Sequence, residues 1–171
     1  MAMTPHLRRF ALTAHVTFSV GWLGAVIAYL ALALAGLNSG DAQLVRAAYL
    51  SMELIGWLVI VPCSLAALLS GLVQSLGTEW GLFRHYWILA KFVMTLVGTL
   101  VLLGHMRNVS RMARLAVELT SSRAEVGILP TQLVVHAAGG LLVLLAATAL
   151  SVFKPWGRTE YGQRKLSQRS E

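Results

Sequence analysis

The chain has 171 residues, 57% of them hydrophobic and 12% charged, with a net charge of +7 and a mean hydropathy of +0.69. A soluble domain carries about 25% charged residues, so this composition excludes a water-soluble globular enzyme and points to an integral membrane protein. Cys63 is the only cysteine, which excludes an internal disulfide and any Cys-x-x-Cys metal or redox motif.

Four apolar runs, at about 10–37, 47–76, 86–105 and 129–153, each reach the roughly 20 residues that span a bilayer as a helix. Thr4-Pro5 starts the first, with a capping residue and a proline at the first helical position. The run is too long for a signal-peptide core and shows no clean cleavage site, so it reads as a retained span. It ends at "GLNSGD", where Gly36, Asn38 and Gly40 break the helix and Asp41 is placed to cap the next. Pro62 interrupts the second run and predicts a kink, because it has no N–H for the helical ladder. "SLGTEWG" turns into the third run, which extends as an amphipathic stretch through Met112 and Leu115. Leu129-Pro130 opens the fourth and Lys154-Pro155 closes it, leaving a basic tail at 154–171. The expected fold is all-α: one domain, residues 1–171, forming a four-helix transmembrane bundle that runs up-down-up-down.

The charges cluster at the ends of the runs. That pattern suits anionic lipid headgroups and makes nucleic acid an unneeded partner. Four spans put both termini on one side, with Arg8, Arg9, Arg84, Lys154 and the basic tail; Arg46, Arg107, Arg111, Arg114 and Arg123 lie on the other. The excess predicts cytoplasmic termini in a multi-pass protein of the cell (inner or plasma) membrane.

Each run carries a polar or small-residue stripe at steps of three and four, one helix face. The stripes contain His15, Ser19 and Trp22; Glu53, Trp57 and Ser64; Lys91, Thr95, Gly98 and His105; and Gln132, His136 and Gly139/Gly140. Polar groups avoid lipid and small residues let membrane helices approach, so the four faces are expected to meet inside the bundle. Counting inward from flanking charges gives two polar layers. His15 and Lys91 lie roughly 10 Å in from the side of the termini at 1.5 Å per residue. Glu53, His136 and His105 lie toward the other side.

A histidine inside a bundle can ligate haem iron. His136, beside Gly139 and Gly140, has room for a flat macrocycle, and Glu53 is placed to orient its ring. His15 is an equal candidate, with Lys91 pairing a propionate, and His105 is the third. The layers put His15 and His136 on different irons. The plainer alternatives stay open: a Glu53–His136 pair that only locks two helices, a Lys91 that snorkels toward headgroups, or proton or ion handling by Glu53, Lys91 and His136. Trp80, Trp87 and Trp156 read as interfacial belt residues, Trp22 and Trp57 as interior ones, and His6 and His85 as surface residues. No HExxH, P-loop, GxSxG or dinucleotide motif is present.

"LTAHVTFSVGWLGAVIAYLAL", "GLFRHYWILAKFVMTLVGTLVLLGHM" and "QLVVHAAGGLLVLLAATALSVFKPWG" together resemble a family of small actinobacterial-type bacterial membrane proteins over nearly the whole chain. That resemblance implies a four-helix integral membrane protein and carries no activity. A more distant similarity, at His15, Trp22 and Gly24 and at Lys91 and His105, is to HemJ-type protoporphyrinogen oxidases and CopD-like copper-resistance membrane domains. It implies haem b or copper chemistry. The Arg-Tyr-His pattern that follows the first helix in HemJ proteins is replaced here by "YLALALAGLNSG". The function expected from the sequence is a small membrane protein binding haem b for a redox role. The alternatives are an accessory subunit without cofactor, with a protein partner or as a homo-oligomer, or a small transporter.

Overall fold

The computed structural model describes residues 3–77, 82–118, 129–155, 157, 159, 160 and 163. Helix α1 spans Pro5–Asn38, α2 Ala42–Ile55, α3 Val61–Gly77, α4 Tyr86–Glu118 and α5 Leu129–Phe153, with a π-helical turn at Gly56–Ile60 joining α2 to α3. Four stretches are long and apolar enough to cross a membrane: Pro5–Asn38, Ala42–Gly77, Tyr86–Glu118 and Leu129–Phe153. Leucines such as Leu54, Leu58, Leu69, Leu100 and Leu142 stand outward. An outer surface this apolar suits lipid, not water. The chain is a small multi-pass membrane protein.

The first span runs from Thr4, which occupies the N-cap without a side-chain bond, with Pro5 at the first position. Asp41 caps α2 as expected, its Oδ1 accepting from the Gln43 N–H at 2.9 Å. Pro62 acts through the turn before it: the Val61 N–H reaches back five residues to the Gly56 carbonyl. A π turn holds more residues than an α turn, so the buried face slips by one residue across it. The buried line is Tyr49, Met52, Gly56, Ile60, Ser64 and Ala67. Glu53 and Trp57, read as interior from strict periodicity, stand one residue round from it. Trp57 is therefore 46% exposed and donates its indole N–H to Ser110 Oγ at 3.2 Å.

The third helix is longer than its apolar run, because Met106, Val109, Met112 and Ala113 bury one face of the continuation. The part of the long interhelical stretch at 119–128 lies outside the described residues, as do Trp80 and Trp156. Trp87 is nearly covered, packed with Leu82, Ile88, Leu72 and Phe92, instead of standing free in a belt. Lys154 closes α5 with φ 45°, and Pro155 follows, which cannot continue the ladder. Beyond it the tail returns to the start of α4, where Thr159 N–H donates to the Arg84 carbonyl at 2.9 Å and its hydroxyl to that of Phe83.

Helix α1 packs on α2 and α3 and also on α5; α4 packs on α2, α3 and α5. Each span thus has two main neighbours, the square arrangement of an antiparallel four-helix bundle. Lipid tails are as apolar as the helices, so close van der Waals fit and hydrogen bonds hold such a bundle, not expulsion from water. Small residues give that fit here. Gly36 lies under the Tyr49 ring and Gly21 against Cys63 Sγ, and the His15 ring rests on Gly71. These contacts also fix the register between α1 and the second span. Between α4 and α5 the register is set by His105 against His136, Gly98 against Val143 and Lys91 against Ser151. The described fold is the expected all-α four-helix bundle.

Candidate functional site

The register sorts the polar groups of the spans into two levels; His136, expected inside the bundle, is exposed, because α5 turns Leu133 and Ala137 inward instead, and Ser151 is exposed as well. At the level nearer the termini are His15, Ser70, Lys91 and Ser151. His15 Nδ1 lies 3.1 Å from the Ala67 carbonyl and 3.0 Å from Ser70 Oγ. A carbonyl only accepts, and Ser70 gives its own proton to the Ala66 carbonyl at 2.6 Å, so Nδ1–H is the donor to both. His15 therefore ties α1 to α3. One turn lower, Gln74 Nε2 donates to the Ala11 carbonyl at 3.1 Å and repeats the tie.

Lys91 bonds to α5 and not to His15, although the two lie within electrostatic range. Its ammonium donates to Ser151 Oγ at 2.9 Å and sits 4.7 Å from the centre of the Trp87 ring. Helical side chains lean toward the N-terminus, which for α4 is the end carrying the chain termini. A serine near the end of α5 and the face of a tryptophan replace part of the water shell that the ammonium loses in the membrane. Lys91 thus satisfies itself along α4 and α5, without a described contact to His15.

The second level holds a different arrangement. The imidazoles of His105 and His136 stack with centroids 4.3 Å apart and 13° between planes. His136 Nδ1 is 2.7 Å from the Gln132 carbonyl one turn back on its own helix. The carbonyl can only accept, so Nδ1 carries a proton, and the tautomer this selects has its lone pair on Nε2. His105 is 7% exposed, yet neither of its ring nitrogens has a hydrogen-bond partner among the described residues. Leaving a buried donor or acceptor unmade costs about 1–3 kcal/mol each, so such a ring ordinarily addresses a group of another kind: a water, an ion or a cofactor.

The surroundings of this level are mixed. Gly139 and Gly140, on the same face of α5 as His136, have nothing within 4 Å of the place a Cβ would take; the same holds for Gly104 beside His105. Toward the bundle axis the space is filled: Met52 and Leu133 are wholly covered, and Met106 and Tyr29 nearly so. Met106 packs against Gly56 of the π turn, and the register of Gly21 with Cys63 and Gly36 with Tyr49 puts Tyr29 opposite that turn. The Tyr29 hydroxyl is buried and also lacks a hydrogen-bond partner among the described residues. Glu53 is half-buried, one residue round from the buried line, and makes no described contact with His136.

The sequence placed His105 and His136 at one level, but their ring stack was invisible to it, as was the solitary state of the His105 nitrogens. The Tyr29 hydroxyl without a partner among the described residues was equally invisible. The missing signal was register, which no single helix carries. No family model, no curated protein and no solved structure matches the chain.

Proposed function

We propose that the protein is a small membrane redox protein that binds haem b at the His136–His105 pair, with both termini cytoplasmic in a bacterial cell membrane. The observation that carries the reading is the buried His105 ring with two unpartnered nitrogens, stacked on a His136 whose Nε2 is free. A bare ion asks for about four protein ligands, and this pair supplies two. Haem brings four nitrogens of its own and needs one or two imidazoles. The open positions over Gly139 and Gly140 are where a flat ring can lie against α5.

The fit sets limits on the arrangement. Two imidazoles stacked 4.3 Å apart cannot hold one porphyrin between them, so they are not the two axial ligands of one iron. His136 would hold the iron through Nε2, its Nδ1 proton donated to the Gln132 carbonyl, which fixes the ring and strengthens Nε2 as a donor. His105 supports it from the buried side. Bound there, the haem supplies one-electron chemistry; the chain supplies the ligand, its orientation and an apolar wall. His15 and Lys91 hold helices in this reading, and Glu53 stands outside the pair.

A second reading has a specific observation in its favour. Tyr29, Met52, Met106 and Leu133 close the bundle axis at this level, as in an accessory subunit whose helices need no cofactor. One experiment separates the two: purification in detergent after haem supplementation, with an optical spectrum. A Soret band that disappears in His136→Ala supports haem at this pair. No band in the wild type removes the haem reading and leaves the accessory one.

A further inference from the structure

A second feature lies at the end of the bundle opposite the termini. Arg107, Arg111 and Arg114 follow one another at steps of four and three, so they share one face of α4, and all three are exposed. The opposite face, Val109, Met112 and Ala113, is buried. The helix cannot turn without exposing that face, so the arginines are held outward by packing.

Their height is fixed by the helix register. His105 lies beside His136, and α5 begins at Leu129, seven residues from His136 toward this end. Arg107 therefore stands just inside the apolar end of α5, and Arg111 and Arg114 stand at it and beyond. Their stretch of helix rises about 10 Å at 1.5 Å per residue. One headgroup layer is about 5–7 Å thick, half the difference between a bilayer of about 40–45 Å and its roughly 30 Å core, so the stripe runs from the edge of the core through that layer. The Trp57 indole marks the same boundary. It is exposed and donates to Ser110, an apolar ring with its polar edge among the arginines, as at a membrane interface. Below, Leu100 and Val101 face outward as lipid-facing residues do. No described carboxylate pairs with the three arginines; Glu118 lies at the far end of the same face.

We propose that Arg107, Arg111 and Arg114 form a binding face for the phosphate of anionic phospholipid headgroups. Guanidinium forks match phosphate oxygens in pairs, and a stripe climbing through the headgroup layer meets phosphates at more than one height. The membrane level of the stripe, together with its sign, selects lipid over an acidic protein. The face is separate from the histidine pair and does not depend on a cofactor there.

The test uses the full chain, purified in detergent and offered mixtures of phosphatidylglycerol and phosphatidylcholine, with retained lipid read by native mass spectrometry. The wild type retains phosphatidylglycerol preferentially. A basic residue near a membrane surface contributes about fivefold, so the triple variant Arg107→Gln/Arg111→Gln/Arg114→Gln loses about a hundredfold of that preference. Arg114→Gln alone loses about fivefold, which keeps the test open if the triple variant folds poorly. Arg8→Gln/Arg9→Gln, which removes two charges at the other end, serves as the comparison and loses less of the preference than Arg114→Gln does. The proposal is overturned if the arginine variants retain phosphatidylglycerol as the wild type does, or if Arg8→Gln/Arg9→Gln loses as much. It is also overturned if inorganic phosphate displaces the lipid at equal concentration, since that marks a free-phosphate site.

Discussion

The His105 ring lies flat on the His136 ring, 4.3 Å between centroids, in a span whose inner threonines and lysine are hydrogen-bonded. Thr95 and Thr99 return their hydroxyls to their own helix, and Lys91 reaches Ser151. His105 alone on α4 is both buried and left with two bare nitrogens among the described residues.

That contrast gives a stability prediction. In protein without cofactor, His105→Phe keeps a flat ring for the stack and removes the unmet polar atoms. It should leave unfolding in detergent unchanged or stabilise the fold by about 1 kcal/mol, since replacing an unsatisfied buried polar group by an apolar shape is neutral or favourable. Loss of several kcal/mol would mean that the imidazole makes bonds in the resting protein.

His15 and Gly71 should be coupled. A Cβ on Gly71 would lie 3.1 Å from His15 Cε1, and the ring cannot retreat without stretching its bonds to Ala67 and Ser70. Gly71→Ala should cost about 1–3 kcal/mol, the range of overpacking. Added to His15→Ala it should cost less, giving a coupling of about 0.5–3 kcal/mol in a double-mutant cycle. Additive effects would refute the contact. Neither change should alter a haem spectrum carried by His136.

Three glycines should separate by what they touch. Gly36→Ala would drive a Cβ to 2.8 Å from Tyr49 Cζ, a rigid ring that is 2% exposed, and should cost about 2 kcal/mol or more. Gly56→Ala meets the flexible end of Met106 and should cost less, because a thioether can swing aside. Gly24→Ala meets nothing within 4 Å and should be near neutral. Unfolding midpoints of the three variants in one detergent decide the order; Gly24 falling with Gly36 would sink it.

Lys91→Met should insert and fold, with stability changed by about 1 kcal/mol or less, since the lost bonds to Ser151 and Trp87 are offset by removing a charge from the membrane. A haem band should persist. A collapse of folding would show that the ammonium has a buried partner instead.

Much of the architecture was legible because each span is a local property. The α5 bounds, the Asp41 cap and the Pro155 stop follow from neighbouring residues. Trp57 shows where that reading fails. The π turn at Gly56–Ile60 moves the face by one residue, and a periodic count carried through it points the wrong side chains inward. Lys91 shows a second limit. Depth along a helix was countable, but the choice between His15 and Ser151 as its neighbour depended on where α4 leans.

The sequence by itself determined that this is a membrane protein of four spans, because apolar length and the position of charges act on each helix separately. It also named the histidines that lie within the spans. Only the tertiary structure decided that His15 bonds to α3 while His105 and His136 stack with nitrogens to spare. Those outcomes depend on the register and rotation of one helix against another, set by the sum of many close contacts such as Gly36 on Tyr49 and Gly98 on Val143.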